Sequence, residues 1–281
     1  MVPNGLFQKI YWHWKNFRVR DWRAYFGISI LGFVSGLRLA QFDIRTPLLF
    51  LITSSLYLAF SFSINNSFDI KNDHEMSKNP IAYGLIRFGE GLFVSVLLAL
   101  IGTLIVYLEL DSISLCIYIL LLALSFSYSA PPLRLKGVPV ADLMSHGLFF
   151  GSLLFLYGAS VGGNLLNPAA IMALPLFIHS ATLNLRNHLD DFDEDKRAAT
   201  RTTARWLGKP KALKGLHALI VVHWVVLGIV TLFFNFQFGI LVNSIVSLIF
   251  IILRRHVGLF RATDICFSLI YASTLPYSVV M

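Results

Sequence analysis

Apolar stretches of about 20 residues recur along the whole chain, each long enough to cross a hydrocarbon core of roughly 30 Å as a helix. They fall at roughly 24–42, 46–65, 85–107, 112–130, 140–160, 168–187, 213–234, 236–253 and 262–280. Transmembrane strands would show ten-residue alternation instead, and no such alternation is present. The expected fold is therefore all-α, a polytopic membrane helical bundle of about nine transmembrane helices. Composition agrees: 56% of the 281 residues are hydrophobic and only 14% charged, too little charge for a soluble domain of this size. Cys116 and Cys266 lie within apolar runs without metal-ligand spacing and read as packed thiols.

Charge fixes an orientation. With the N-terminal segment in the cytoplasm and the spans alternating, all but two of the 23 basic residues fall on the cytoplasmic side, the exceptions being Arg38 and Arg45. That bias is the positive-inside rule. It explains the net charge of +8 through topology and anionic lipid, with no need for a nucleic-acid partner. The first 23 residues are basic and aromatic but lack the apolar core and cleavage site of a signal peptide. They read as an interfacial segment on the membrane surface, or equally as a solvated basic tail. The expected location is a prokaryotic cell membrane, with N-terminus and active site cytoplasmic.

Two polar stretches stand out, at 65–84 and 187–212, each following a span and each on the cytoplasmic side. Asn65, Asp69 and Asp73 are spaced N-x3-D-x3-D, and Asn187, Asp191 and Asp195 repeat that spacing. A duplicated half-molecule is the natural reading: one domain over 1–281, with pseudo-repeats at roughly 24–130 and 140–253 and an extra terminal helix. Spacing by four places side chains along one helical face, so each copy would present an amide oxygen and two carboxylates as a stripe. Few, hard, mostly carboxylate ligands suit Mg²⁺, which keeps waters and completes its shell with phosphate oxygens. Two such stripes facing one another would hold two Mg²⁺ ions with a diphosphate between them. Either acidic cluster alone would read as a solvated loop. The repetition at matching positions, and the cost of carboxylates near membrane depth, argue for a site. Asn72, His74, Glu75, Asp190, Asp193 and Glu194 lie off the stripes and read as surroundings.

Cations that suit a bound diphosphate lie close in sequence: Lys196, Arg197, Arg201 and Arg205 after the second motif, and Tyr128, Arg134 and Lys136 within "YSAPPLRLKG". Arg would contribute bidentate contacts and Lys a point charge, although each also reads as a positive-inside anchor. Asp142 and His146, at i and i+4, are expected to face one another as a satisfied buried polar pair or to touch an acceptor.

These residues resemble the UbiA superfamily of intramembrane prenyltransferases. Its first signature is similar to "NNSFDIKND" followed by "KNPIAYG", its second to "NHLDDFDED" followed by "RTTARWLG", and its Tyr-plus-basic loop to "YSAPPLRLKG". Two departures are Asn66, where the family commonly has Asp, and His188, which stands at the corresponding position of the second copy; both lie off the stripes. The resemblance implies an all-α bundle with a lateral opening to lipid and two Asp-rich cytoplasmic helix–loop caps. It implies Mg²⁺-dependent transfer of an isoprenyl group from a prenyl diphosphate donor to a lipophilic acceptor, with Asp69 and Asp191 as the central catalytic acids. The implied metal ligands are Asn65, Asp69, Asp73, Asn187, Asp191 and Asp195. Tyr128, Arg134, Lys136, Lys196, Arg197 and Arg201 are the implied diphosphate ligands. Two other outcomes use similar residues: a UbiA-like terpene cyclase, and an ion carrier built on intramembrane carboxylates.

Overall fold

The computed structural model describes residues 5–38, 43–70, 76, 78–165 and 168–280; Asp73 lies outside them. Every regular element among the described residues is helical. In chain order they are α1 (Leu6–Asn16), α2 (Arg23–Gly36), α3 (Arg45–Phe68), α4 (Phe88–Glu109), α5 (Ser112–Ser129), α6 (Ala141–His146), a π-helical stretch (Gly147–Ser152) and α7 (Leu153–Val161). Then come α8 (Ala173–Asp190), α9 (Phe192–Arg197), α10 (Thr203–Leu207), α11 (Lys209–Phe234), α12 (Phe236–Val257) and α13 (Leu259–Val280).

Six segments are long and apolar enough to cross a membrane: α3, α4, α5, the continuous run Ala141–Val161, α11 and α12. This makes the chain an integral membrane bundle, with fewer clear spans than the nine expected from sequence. The difference has a physical cause. α2 has only 14 residues, about 21 Å at 1.5 Å per residue. The final turns of α8 carry Asn184, Arg186, Asn187 and His188, so that helix is too polar to qualify on composition alone.

Local chemistry sets the boundaries. Asp111 caps α5 by accepting from the Ile113 and Ser114 amides at 2.8 and 2.9 Å, and Asn235 caps α12 through the Phe238 amide, each satisfying donors the first turn leaves free. Gly208 and Gly258, with φ of +79° and +83°, take the backbone conformation that separates α10 from α11 and α12 from α13, which a side chain would disfavour.

Small residues set the closest helix contact. α2 and α7 run against each other through Gly32 and Gly36 on one side and Gly158 and Gly162 on the other. A Cβ on Gly32 would strike the Phe155 carbonyl, and one on Gly158 the Ser29 carbonyl. This is the small-xxx-small packing of membrane helices. Between the π-helical stretch and α8, Gly147 and Gly151 allow a similar approach to Phe177 and Leu176. Buried hydroxyl pairs tie helices across the lipid depth, including Tyr57–Ser125 at 2.9 Å and Tyr157–Thr53 at 2.6 Å. Two apolar clusters form: one joins α2, α3, α5 and α7, the other α8, α11, α12 and α13.

Candidate active site

The first acidic motif sits where α3 stops. Phe68 is the last helical residue and Asp69 its C-cap, with φ −105° and ψ 20°. Asp69 is buried, with 5% of its surface exposed. It ion-pairs with Lys136, and Arg134 Nη2 lies 3.6 Å from the same carboxylate. Arg134 also donates to the Phe68 carbonyl at 3.3 Å, satisfying one of the acceptors the helix end leaves open. Asn65, one turn earlier and half-buried, donates its amide to the Ser129 hydroxyl at 3.3 Å.

The second motif repeats this geometry. α8 ends at Asp190 and Asp191 is its C-cap, with φ −89° and ψ 12°. The central acid of each motif therefore ends its own span in nearly the same backbone conformation. Asp195 belongs to the separate short helix α9, where it accepts from Thr202 Oγ1 at 3.3 Å. In the second motif the expected continuous helical stripe holds only for the first two members, since α8 breaks at Asp191 and Asp195 lies on α9; α3 likewise stops at Asp69. Asn187 and Asp191 are exposed and Asp195 is half-buried.

Lys136 joins the two motifs. It is buried, ion-paired to Asp69, and its charge acts on Asp195 as well. Burial nonetheless pushes the Asp195 carboxyl up to about 6, with the Asp191 charge adding to the rise and Lys136, Thr202 and Arg205 opposing it. A half-buried acid beside another acid is a place where a further cation is favourable. The donor set is all oxygen, carboxylate and amide, which fits Mg²⁺. Among the described residues no three acids, imidazoles or thiols converge into an all-protein cage, and Mg²⁺ coordinated partly by water and phosphate needs none.

The remaining cations divide. Arg134 and Lys136 stand at the site, and Tyr128 is linked to it through Asn184 Oδ1 at 3.3 Å. Lys196, Arg197 and Arg201 are exposed on α9 and the turn beyond it, with Arg197 donating to its own helix at Asp193. Arg205 donates to the carbonyls of Thr200 and Asp195 and so pins this turn.

Asp142 and His146 do not pair as expected. Asp142, fully buried, accepts from the Thr203 amide at 2.6 Å, the Thr203 hydroxyl and the Leu143 amide, and lies 3.4 Å from His188 Nδ1. His146 Nδ1 meets Ser180 Oγ at 2.9 Å. Local i+4 spacing suggests a partner, whereas tertiary packing supplies others 34 to 61 residues away. Asn184 and Asn16 carry no site signature in the sequence, whereas Thr202 and Thr203 fall in the "RTT" run after the second motif. Below the acids, His146 sits amid Tyr25, Phe149, Phe150 and Tyr128, with ring centroids 5.1–6.0 Å away, and Phe62 packs against Tyr25 and Phe150. The acidic end of the bundle is thus floored by aromatic faces.

Fold and site together define an integral membrane helical bundle with an acidic and basic cluster at one end. Residues 27–265 match the UbiA prenyltransferase family, and the chain belongs to that family and is a prenyltransferase. It is 26% identical to a lycopene elongase/hydratase of Haloarcula japonica over 72% of this chain and 67% of that one. To a lycopene elongase/hydratase of Halobacterium salinarum it is 29% identical over 76% and 74%. The fold is similar to that of a UbiA homologue from Archaeoglobus fulgidus solved with GPP and Mg²⁺, with TM-score 0.76, 21% identity, and 96% and 98% of the two chains covered.

Proposed function

We propose that this chain transfers an isoprenyl group from an allylic prenyl diphosphate to an apolar polyene acceptor in the membrane, releasing diphosphate. The observation that carries this reading is Lys136, buried and ion-paired to Asp69 at the end of α3. Asn65, Asp69 and Asp73 would hold one Mg²⁺, and Asn187, Asp191 and Asp195 a second. When bound, Mg²⁺ supplies positive charge to the leaving diphosphate oxygens.

Buried Lys136 and half-buried Arg134 counter Asp69 and would steady the charge that develops on the diphosphate as the allylic C–O bond breaks. Tyr128, Lys196, Arg197 and Arg201 complete the anionic head's surroundings, the last three from the exposed rim. The bond's electron pair leaves with the diphosphate and an allylic cation remains. Tyr25, Phe62, Phe149 and Phe150 would face that cation with ring faces and keep water away. The acceptor's π electrons then form the new C–C bond, and the resulting cation loses a proton. A polyene has no polar head, which suits an aromatic floor; the two lycopene elongase/hydratase relatives support this acceptor class.

The test is product mass. Purified protein with Mg²⁺, an allylic diphosphate and an acyclic carotenoid should give an adduct heavier by one prenyl unit, and Asp69→Ala or Asp191→Ala should abolish it without loss of folding. Near-normal turnover by either variant would overturn the metal assignment. A cyclised hydrocarbon without adduct would instead show a terpene cyclase, and metal-dependent flux in liposomes without diphosphate release a carrier.

A further inference from the structure

Asn66 is fully buried beside the first acidic motif. Its side-chain amide donates to the Lys78 carbonyl at 2.8 Å, to Asn16 Oδ1 at 3.0 Å and to the Asn16 carbonyl at 3.2 Å. Its backbone carbonyl accepts from Asn79 Nδ2 at 2.9 Å and from the Asp69 amide at 3.4 Å. Asn79 in turn holds the Ile81 and Ala82 amides through Oδ1, at 3.1 and 3.2 Å. Asn16, the last residue of α1, donates to Ser63 Oγ at 2.7 Å, and Ser95 of α4 donates to the same hydroxyl at 2.7 Å. Asn16, Ser63, Asn79 and Ser95 are all fully buried.

We propose that Asn66 is a positioning residue that locks the backbone around Asp69 to helix α1 and to the turn beginning at Lys78, and so fixes the presentation of Asp69. Among the described residues, each partner of the Asn66 amide nitrogen is an oxygen. A carboxylate of the same shape could donate to none of them and would set a buried anion against three acceptors. Residue 66 comes one position after Asn65, which turns it about 100° around α3, away from Asn65. The functional consequence rests on the reading of Asp69 as a metal ligand; the structural tie does not.

The two roles open to residue 66 respond oppositely to one substitution. Asn66→Asp preserves size and improves any metal-ligating capacity, but removes the donor. If residue 66 positions Asp69, Asn66→Asp and Asn66→Ala should both raise the Mg²⁺ concentration for half-maximal diphosphate release by about 10- to 100-fold, the scale of lost outer-shell support for a metal ligand. kcat should change less. Backbone exchange at Ile81 and Ala82 should quicken in both variants without Mg²⁺, read by hydrogen–deuterium exchange on full-length protein in nanodiscs. Asn16→Ala should act in the same direction, and Asn16→Ala/Asn66→Ala should be no worse than the more damaging single change.

Wild-type exchange at Ile81 and Ala82 in Asn66→Asp, or Mg²⁺ half-saturation equal to or below wild type, would overturn the proposal. If Asn66→Asp does not purify as a monodisperse species, Asn16→Ala decides: unchanged exchange and unchanged half-saturation reject the tie. Absence of any Mg²⁺-dependent diphosphate release by the wild type would instead reject the prenyl-transfer reading, leaving the exchange measurements to judge the tie alone.

Discussion

Asp142 and Asp195 are held by neighbouring threonines, Thr203 and Thr202. Asp142 has three donors in place, two from Thr203 and one from Leu143, which offset part of the cost of its burial. Thr203→Val deletes the hydroxyl donor and is expected to cost about 1–3 kcal/mol, the range for a buried acceptor losing a partner. A drop in Tm that Thr203→Ser restores would check it. Asp195 is under-compensated, and its carboxyl sits at about 6, above the usual carboxylate range near 4. The native state therefore holds a proton that the unfolded state has released between roughly pH 4 and 6, so this group favours folding as pH falls through that window. Protons and Mg²⁺ compete for the same oxygen atoms. The expected outcome is Mg²⁺ stabilisation of Tm that is present at pH 7.5 and fades below about pH 6, with Asp195→Asn flattening the profile. Asp69, Asp191 and Asp195, acids of the candidate site, are picked out in the sequence because their N-x3-D-x3-D spacing occurs twice. The partners of Asp142 are not, because they lie far along the chain, where spacing carries no information.

At the scale of elements, hydropathy locates the apolar helices well but does not show where they break. Composition does not mark the ends of α3 and α8, where Asp69 and Asp191 are the C-caps, or the π-helical stretch between α6 and α7. Glycines on α2 and α7 fall at GxxxG spacing, Gly32 with Gly36 and Gly158 with Gly162, which marks a close-packing face but does not say which helix meets it. Packing gives them their meaning: Gly32 and Gly158 admit the facing backbone, and neither carbonyl they would strike belongs to a side chain able to rotate away. Gly32→Ala is expected to destabilise by about 1–3 kcal/mol, as overpacking does in a tight core. Gly27→Ala on the same helix, where a Cβ meets nothing within 4 Å, should be neutral to mildly stabilising. Comparing the two by thermal unfolding separates close packing from helix propensity, because both changes improve propensity equally.

At the scale of the whole molecule, charge is distributed by end rather than by partner. α3 begins at Arg45 and α4 finishes at Glu109, and these two pair at the end of the bundle opposite Asp69. Lys9–Glu90 and Arg18–Asp21 lie in α1, at the start of α4 and just beyond α1, and α12 closes on Arg254, Arg255 and His256. The positive-inside bias then makes a directional prediction: the acidic end with Lys136, α9 and α1 faces the cytoplasm, and the α4–α5 turn faces the other compartment. α1 fits that placement, since Leu6, Phe7, Ile10 and Trp14 are exposed along it at spacings that form one apolar face, as expected of a helix lying in the interfacial layer. In a background with Cys116→Ala and Cys266→Ser, Arg197→Cys on α9 should react with a membrane-impermeant maleimide only from the cytoplasmic side. Ser112→Cys at the start of α5 should react only from the opposite side. Labelling of both positions from one side would break the alternation of spans, and labelling with the two sides exchanged would invert the site. In the second case the prenyl diphosphate would have to be supplied from outside the cell, a requirement that cytoplasmic depletion of the donor in intact cells would expose.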